Sequence, residues 1–112
     1  MNFEIYPTED FQKSFKKLTK RHRSLVADMK EFVKSLKKDP YQGTELSQGI
    51  RKIRMAITSK GRGKSGGARI ITYTVQFDEF GGKVFLLDIY DKGDFSTIDE
   101  SVIKAKIRDL EL

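Results

Sequence analysis

The spacing of apolar residues changes near Gly49, from a helical period to a strand period, and this change limits the folds that the sequence can adopt. Before it, apolar residues such as Phe11, Phe15 and Leu18 recur at helical spacing, which is typical of helices that pack through one face. After it, apolar and polar residues alternate, which is typical of β-strands. A helical segment followed by a strand-rich segment predicts an α+β fold.

The first part of the chain is predicted to contain one strand and two helices. A short strand covers Asn2 to Tyr6, and Thr8 is in position to cap the first helix, since threonine favours the N-cap. A longer second helix carries apolar residues from Leu25 to Leu36. Residues 41–49 are expected to form a connecting loop, anchored by Leu46.

Three strands are predicted next, with short connections that favour an antiparallel meander. In the first of them Ile53 and Met55 alternate with Lys52 and Arg54, so one face of this strand is basic. The other two strands run from 68 to 77 and from 83 to 90.

A last amphipathic helix includes Val102 to Leu110, and Thr97 with Glu100 fits a capping box at its start. The predicted order is therefore β-α-α-β-β-β-α within one domain, 1–112. We expect an α+β fold in which a helical hairpin and the C-terminal helix pack on a small antiparallel sheet, leaving one sheet face partly open.

The composition excludes several kinds of active site. The 112 residues contain no cysteine, which removes disulfides and thiolate chemistry, and His22 is the only histidine, which removes a Ser-His pair and a multi-histidine metal site. No metal and no cofactor is expected. No apolar run has the roughly 20 residues that a membrane span needs, so a cytoplasmic protein is expected.

Positive charge is concentrated in the middle of the chain. Residues 46–77 carry seven Lys and Arg and no Asp or Glu, although the net charge of the whole chain is only +6. An acid-free stretch of this length favours a polyanion site. The alternative is a solvated surface.

The basic segment Lys60–Arg69 is the most distinctive part of this stretch. It contains four glycines and four basic residues, and glycines let backbone amides approach a phosphate closely. It is not a dinucleotide or Walker loop, because both of those must open a helix and a strand is predicted here. We interpret it as a cationic strand-to-strand loop; the alternative is a mobile, solubilising hairpin tip.

The sequence K-G-R-G-K-S-G-G-A-R-I-I-T-Y, which begins at Lys60, resembles the RelE/ParE superfamily of type II toxin-antitoxin toxins, in particular its HigB-like branch. The resemblance covers nearly the whole chain. The family has the predicted element order and a Y-x-K-x-E sequence after its last strand. Tyr90, Lys92 and Asp94 occupy that element here, with aspartate in place of glutamate.

The resemblance implies a ribosome-dependent mRNA endonuclease, or mRNA interferase, that enters the A site and cuts translated mRNA. It also implies inhibition of translation, growth arrest, and control by a cognate helix-turn-helix antitoxin, through which the toxin binds operator DNA indirectly. Cleavage by attack of a ribose 2′-OH needs alignment, proton transfer and charge stabilisation, and Arg, Lys and Tyr side chains can supply these without a metal.

The resemblance also suggests roles for individual residues. Arg69 is the candidate for transition-state stabilisation, because its planar fork matches a phosphate. Tyr90 stacks on a base or transfers a proton, with its pKa lowered by nearby cations; alternatively it is a core residue on the side of Val84 and Leu86. Lys92 is a candidate general acid or base. The phosphate backbones of mRNA and ribosomal RNA are expected to contact Lys52, Arg54, Lys60, Arg62 and Lys64.

Two other functions remain open at this point. One is the gyrase poison of the same superfamily, which binds a protein and is not an enzyme. The other is a basic nucleic-acid-binding module. Asp91 and Asp94, beside Lys92, are interpreted as a surface ion pair that contributes little, and it stays open whether the carboxylate at Asp94, in place of the family's glutamate, matters. His22 lies in a basic loop between the helices and is expected to face solvent or to contact the ribosome, rather than to be catalytic.

Overall fold

The structure is a computed structural model that describes residues 2–95 and 98–110. Its elements follow the order β1 (Asn2–Pro7), α1 (Glu9–Thr19), α2 (Leu25–Lys38), β2 (Thr44–Ser47), β3 (Ile50–Met55), β4 (Ala68–Asp78), β5 (Gly81–Asp91) and α3 (Glu100–Arg108). The chain is therefore mixed α+β, as predicted, and its described part contains three α-helices and one five-stranded sheet.

The helix starts show which local predictions hold. The Thr8 side chain accepts a hydrogen bond from the Phe11 N–H at 3.3 Å, which confirms the predicted cap of α1. The predicted capping residue Thr97 lies outside the described residues. In the structure Asp99 is the N-cap of α3, and its carboxylate accepts a hydrogen bond from the Ser101 N–H at 2.7 Å.

The sheet has the order β1-β5-β4-β3-β2 and differs from the prediction in two ways. Residues 44–47, predicted as loop, form the short edge strand β2, which pairs with β3. The sheet is also mixed rather than antiparallel throughout, because β1 runs parallel to β5. The predicted meander of β3, β4 and β5 is confirmed.

Each sheet face has its own apolar cluster. One face packs under α1 and α2, whose buried residues, including Phe11, Leu25 and Phe32, join Ile53 and other strand residues in one cluster. We call it the helix-hairpin face. The opposite face, here called the α3 face, holds a smaller cluster in which Ile103 of α3 packs with Ile50, Ile71, Phe85, Leu87 and Tyr90.

A β-bulge in β5 reverses the alternation of its last residues. Ile71 pairs with Asp88 but the next residue, Thr72, pairs with Leu86, so Leu87 is the extra residue. Tyr90 consequently packs in the α3-face cluster, whereas Val84 and Leu86 pack on the helix-hairpin face. The prediction that Tyr90 shares a side with Val84 and Leu86 is wrong, since simple alternation does not include the bulge.

Candidate nucleic-acid interface

An open groove of about 730 Å³ lies beside β3 and β4. The residues before and within β2 form one wall, including Gln42, Thr44 and Leu46. Five basic side chains also line it, and the described lining residues include no carboxylate. We call this site the basic groove and define it by Lys52, Arg54, Lys64, Arg69 and Lys92.

The strand register explains how distant residues meet in the basic groove. Lys52 and Arg54 alternate with the buried Ile53 on β3, which directs both toward the α3 face. Arg54 lies directly opposite Arg69 on the neighbouring strand. Like charges in directly opposed positions destabilise a sheet, so this pairing costs free energy unless an anion lies against it.

Arg69 is held by the backbone of the basic segment. Only 4% of the residue is exposed. Its guanidinium donates hydrogen bonds to the carbonyl oxygens of Lys64 at 3.1 Å, Ser65 at 2.9 Å and Ala68 at 3.2 Å. These three bonds leave two of the five N–H donors of an arginine. Arg69 therefore shapes the loop that ends the basic groove, in addition to placing a positive charge at it.

Lys92 follows the end of β5 and is half-buried. Its backbone N–H donates to the carbonyl of Gly67 at 3.0 Å, which ties the turn after β5 to the end of the basic segment. Among the described residues no carboxylate pairs with its ammonium group, which lines the basic groove. Lys92 is thus a cation available to a bound anion.

Tyr90 lies next to this site but is buried. It is opposite Arg69 in the sheet, only 6% exposed, and its ring meets Phe95 edge-on with centroids 5.8 Å apart. Its hydroxyl has no hydrogen-bond partner within the part of the chain that the structure describes. Burial raises the pKa of Tyr90 and outweighs the lowering effect of Arg69, and Asp88 raises it further. The prediction of a lowered pKa is wrong, because desolvation exceeds the attraction of the cation.

Two of the predicted phosphate contacts lie outside the basic groove. Lys60 points to β5, where its ammonium donates to a carboxylate oxygen of Asp91 at 2.7 Å. Arg62 is exposed near the tip of the basic segment and does not line the groove. The structure thus brings together Lys52, Arg54, Lys64, Arg69 and Lys92 in the basic groove. Lys60 and Arg62 lie outside it, and Tyr90 is buried next to it, opposite Arg69.

A second group of charges lies at the end of β5 on the helix-hairpin face. Asp91 is 2% exposed and accepts hydrogen bonds from Lys60, from the His22 ring at 2.8 Å and from the Gly93 N–H at 2.8 Å. Arg21 contacts Asp91 at 3.4 Å and donates to Asp94 at 2.6 Å. We call Arg21, His22, Lys60, Asp91 and Asp94 the Asp91 cluster.

The ionisation of Asp91 follows from these contacts. Burial alone would raise its pKa, but the hydrogen bonds from Lys60, Gly93 and His22, together with the charge of Lys60, lower the pKa to about 2. Asp91 is therefore a buried carboxylate. The interpretation of Asp91 as part of a surface ion pair with Lys92 is wrong. The prediction that His22 faces solvent is wrong: only 12% of its side chain is exposed, because the ring bonds to Asp91.

Sequence reasoning missed the Asp91 cluster as a structural unit. A signal was present: Asp91 follows Ile89 by two positions, and alternation places it on the same face as that buried isoleucine. A carboxylate on a buried face needs cationic partners. The partners themselves come from residues 21, 22 and 60, which are distant in sequence, so the pairing was not visible.

No protein-family model matches the chain. In residues 2–95 and 98–110 no helix has the length and apolar character needed to cross a membrane. The same residues contain no group of three or more histidine and carboxylate side chains arranged to hold a metal ion.

Proposed function

We propose that the protein is the toxin of a type II toxin-antitoxin system with the RelE-like topology, and that it cuts translated mRNA in the ribosomal A site. The proposal combines the resemblance of the basic segment and of Tyr90 and Lys92 to the HigB-like toxins with the electrostatics of the basic groove. A cytoplasmic location, the ribosome as partner and a helix-turn-helix antitoxin that carries the toxin to operator DNA belong to the same proposal.

The observation that carries the proposal is the absence of carboxylates among the described lining residues of the basic groove. Elsewhere in the described residues Lys60, Arg21 and Lys106 pair with carboxylates, whereas the five basic side chains of the groove do not. Opposed arginines at Arg54 and Arg69 add a local repulsion that a phosphate backbone would relieve. Sites that break a local rule of stability are often functional.

The chemistry that fits this site is attack of a ribose 2′-OH on the adjacent phosphate. Lys92 is the candidate proton-transfer residue, since its ammonium faces the basic groove without a carboxylate partner among the described residues. Arg69 contributes fixed positive charge toward the developing phosphorane, with two N–H donors left for it. Lys52, Arg54 and Lys64 hold the RNA backbone. Tyr90 supports Arg69 from the neighbouring strand.

Binding of nucleic acid without cleavage is the second candidate. It is favoured by the burial of Tyr90 and by the three carbonyls that already engage Arg69. Both functions use the basic groove, and they differ in whether the RNA is cut.

The experiment is an in vitro translation reaction with the protein added, followed by mapping of new mRNA 5′-ends. We expect cuts only on translated message. We also expect Lys92→Gln to slow them by about 100-fold or more, the scale of general acid-base catalysis. Lys30→Gln is the matched control, because Lys30 is an exposed lysine of α2 on the other side of the sheet. RNA binding without cuts would replace the nuclease proposal with the binding module.

A further inference from the structure

Asp91 does not line the basic groove, yet it contacts several of the segments that surround it. Lys60, at the start of the basic segment, donates to Oδ1 of Asp91, which also accepts the N–H of Gly93 in the turn after β5. Oδ2 accepts from His22, and Arg21 lies 3.4 Å away, both in the turn between α1 and α2. One carboxylate therefore joins three separate parts of the chain.

The same turn also fixes the far end of the basic segment. The Lys92 N–H bonds to the Gly67 carbonyl, and Gly67 itself is packed so closely that an added Cβ would collide with the Met55 carbonyl. Asp91 thus holds the first residue of the segment directly and its end through the neighbouring Lys92. Both ends of the loop that carries Lys64 depend on this position.

The tip of the basic segment has no comparable restraint. Gly61 and Gly63 adopt positive φ values of 68° and 63°, and within the described part of the chain a Cβ at either would meet nothing within 4 Å. The tip gains order from its ends and from the carbonyls of Lys64 and Ser65 that Arg69 holds. Loss of an anchor at either end would therefore displace Lys64 and Lys92 relative to Arg69.

We infer that Asp91 is a positioning residue of the basic groove, which sets Lys92 and the basic segment through its bonds to Lys60 and to the turn at Gly93. The inference rests on the proposed function for its catalytic consequence. Its structural consequence, order at Lys92, is independent of that function. Asp91 itself touches no substrate, since it lies on the opposite side of the sheet from Arg69.

The test compares Asp91→Asn with Asp94→Asn. Both variants remove one carboxylate charge from the same turn, but Asp94 pairs only with Arg21 among the described residues. On programmed ribosomes we expect Asp91→Asn to lower kcat by roughly 10- to 100-fold with KM nearly unchanged, because misplacement of about 1 Å has effects on this scale. Asp94→Asn should stay within about twofold of wild type. Equal effects of the two variants would overturn the inference.

Amide hydrogen exchange at Lys92 gives a readout that does not need activity. Exchange there should accelerate at least roughly tenfold in Asp91→Asn and remain unchanged in Asp94→Asn, since only the former loosens the turn. Unchanged exchange in Asp91→Asn would contradict the inference even if cleavage falls. If the wild-type protein cuts no message, the proposed function fails, and the exchange rates alone decide the positioning role.

Lys60→Met provides the second variant, should Asp91→Asn fold poorly. It removes the partner and leaves Asp91 bonded to His22 and Gly93. We expect the same loss of kcat, and the Asp91→Asn, Lys60→Met double variant should lose no more than the more affected single variant, because both act through one contact. Additive losses would show independent effects and refute the shared positioning role.

Discussion

The basic groove and the Asp91 cluster contain the same kinds of cationic side chain in opposite electrostatic settings. In the cluster, Lys60 and His22 surround the buried carboxylate of Asp91, and Arg21 bridges it to Asp94. In the basic groove the described lining residues include no carboxylate. The difference shows that part of the positive charge is neutralised within the fold, while another part has no carboxylate partner among the described residues. The net charge of the chain does not distinguish the paired cations of the Asp91 cluster from the cations of the basic groove.

Removal of the central carboxylate should have the largest effect on stability. Asp91→Ala leaves Lys60 and His22 beside an empty buried position, and loss of one partner of a buried ion pair costs about 3–5 kcal/mol of unfolding free energy. Urea denaturation measures this value. Asp94→Ala, which removes a carboxylate from the exposed edge of the same cluster, should cost at most about 1 kcal/mol. Similar values for the two variants would show that burial does not distinguish them.

Exchange of the buried arginine for lysine should mainly affect cleavage. A single ammonium group cannot hold the carbonyls of Lys64 and Ser65 in the way that the guanidinium fork of Arg69 does. We expect Arg69→Lys to reduce the cleavage rate about 100-fold or more, the scale of a lost electrostatic donor. Arg62→Lys makes the same exchange outside the basic groove and should leave the rate unchanged. Wild-type cleavage by Arg69→Lys would remove Arg69 from the mechanism.

The pH dependence of stability should report the Asp91 cluster. The folded pKa of Asp91 is about 2, below its ordinary value of 3.8, so its contribution is fully present above about pH 4. It is lost as the pH falls through about 2, and its size is about 2 kcal/mol. Urea denaturation between pH 2 and pH 5 should show this slope in wild type. Asp91→Asn should show a smaller one, and equal slopes would contradict the assignment.

The smallest expected effect is on the salt dependence of RNA binding, which should differ between a lysine of the basic groove and a lysine of the Asp91 cluster. Lys52→Gln should lower the slope of log K against log salt for an unstructured RNA oligonucleotide by about 0.7 to 1, because one phosphate contact is lost. Lys60→Gln should leave the slope unchanged, since its ammonium already pairs with Asp91. A reduced slope in Lys60→Gln would show that the paired lysine also meets the RNA.

Much of the fold could be predicted because it depends on local periodicity. Both helices before residue 40 and the strands β3, β4 and β5 follow from the spacing of their apolar residues. The short strand β2 was missed because its four residues show no clear alternation between the turns at Gly43 and Gly49. The parallel pairing of β1 with β5 joins distant segments, and no local pattern specifies it.

The site was predicted less completely, because side-chain placement depends on contacts between distant residues. Alternation predicted a basic face at Lys52 and Arg54, but the position of Arg69 beside them follows from the pairing of two strands, which alternation does not specify. Lys60 and Lys64 both belong to the basic segment, and the sequence does not distinguish them. Only the folded structure, in which Asp91 lies beside Lys60, shows that Lys60 is paired. For Tyr90, the bulge at Leu87 and the extent of burial decided both its face and the direction of its pKa shift.

The most direct test of the central claim uses a message with a single 2′-deoxynucleotide at the mapped cleavage position on a programmed ribosome. Attack by the 2′-OH requires that oxygen, and it leaves a 2′,3′-cyclic phosphate on one fragment and a 5′-hydroxyl on the other. We predict that the substitution abolishes cleavage at that position while the protein still binds the ribosome, and that the unmodified message gives these end groups. Continued cleavage of the deoxy-substituted message would contradict the mechanism proposed for the basic groove.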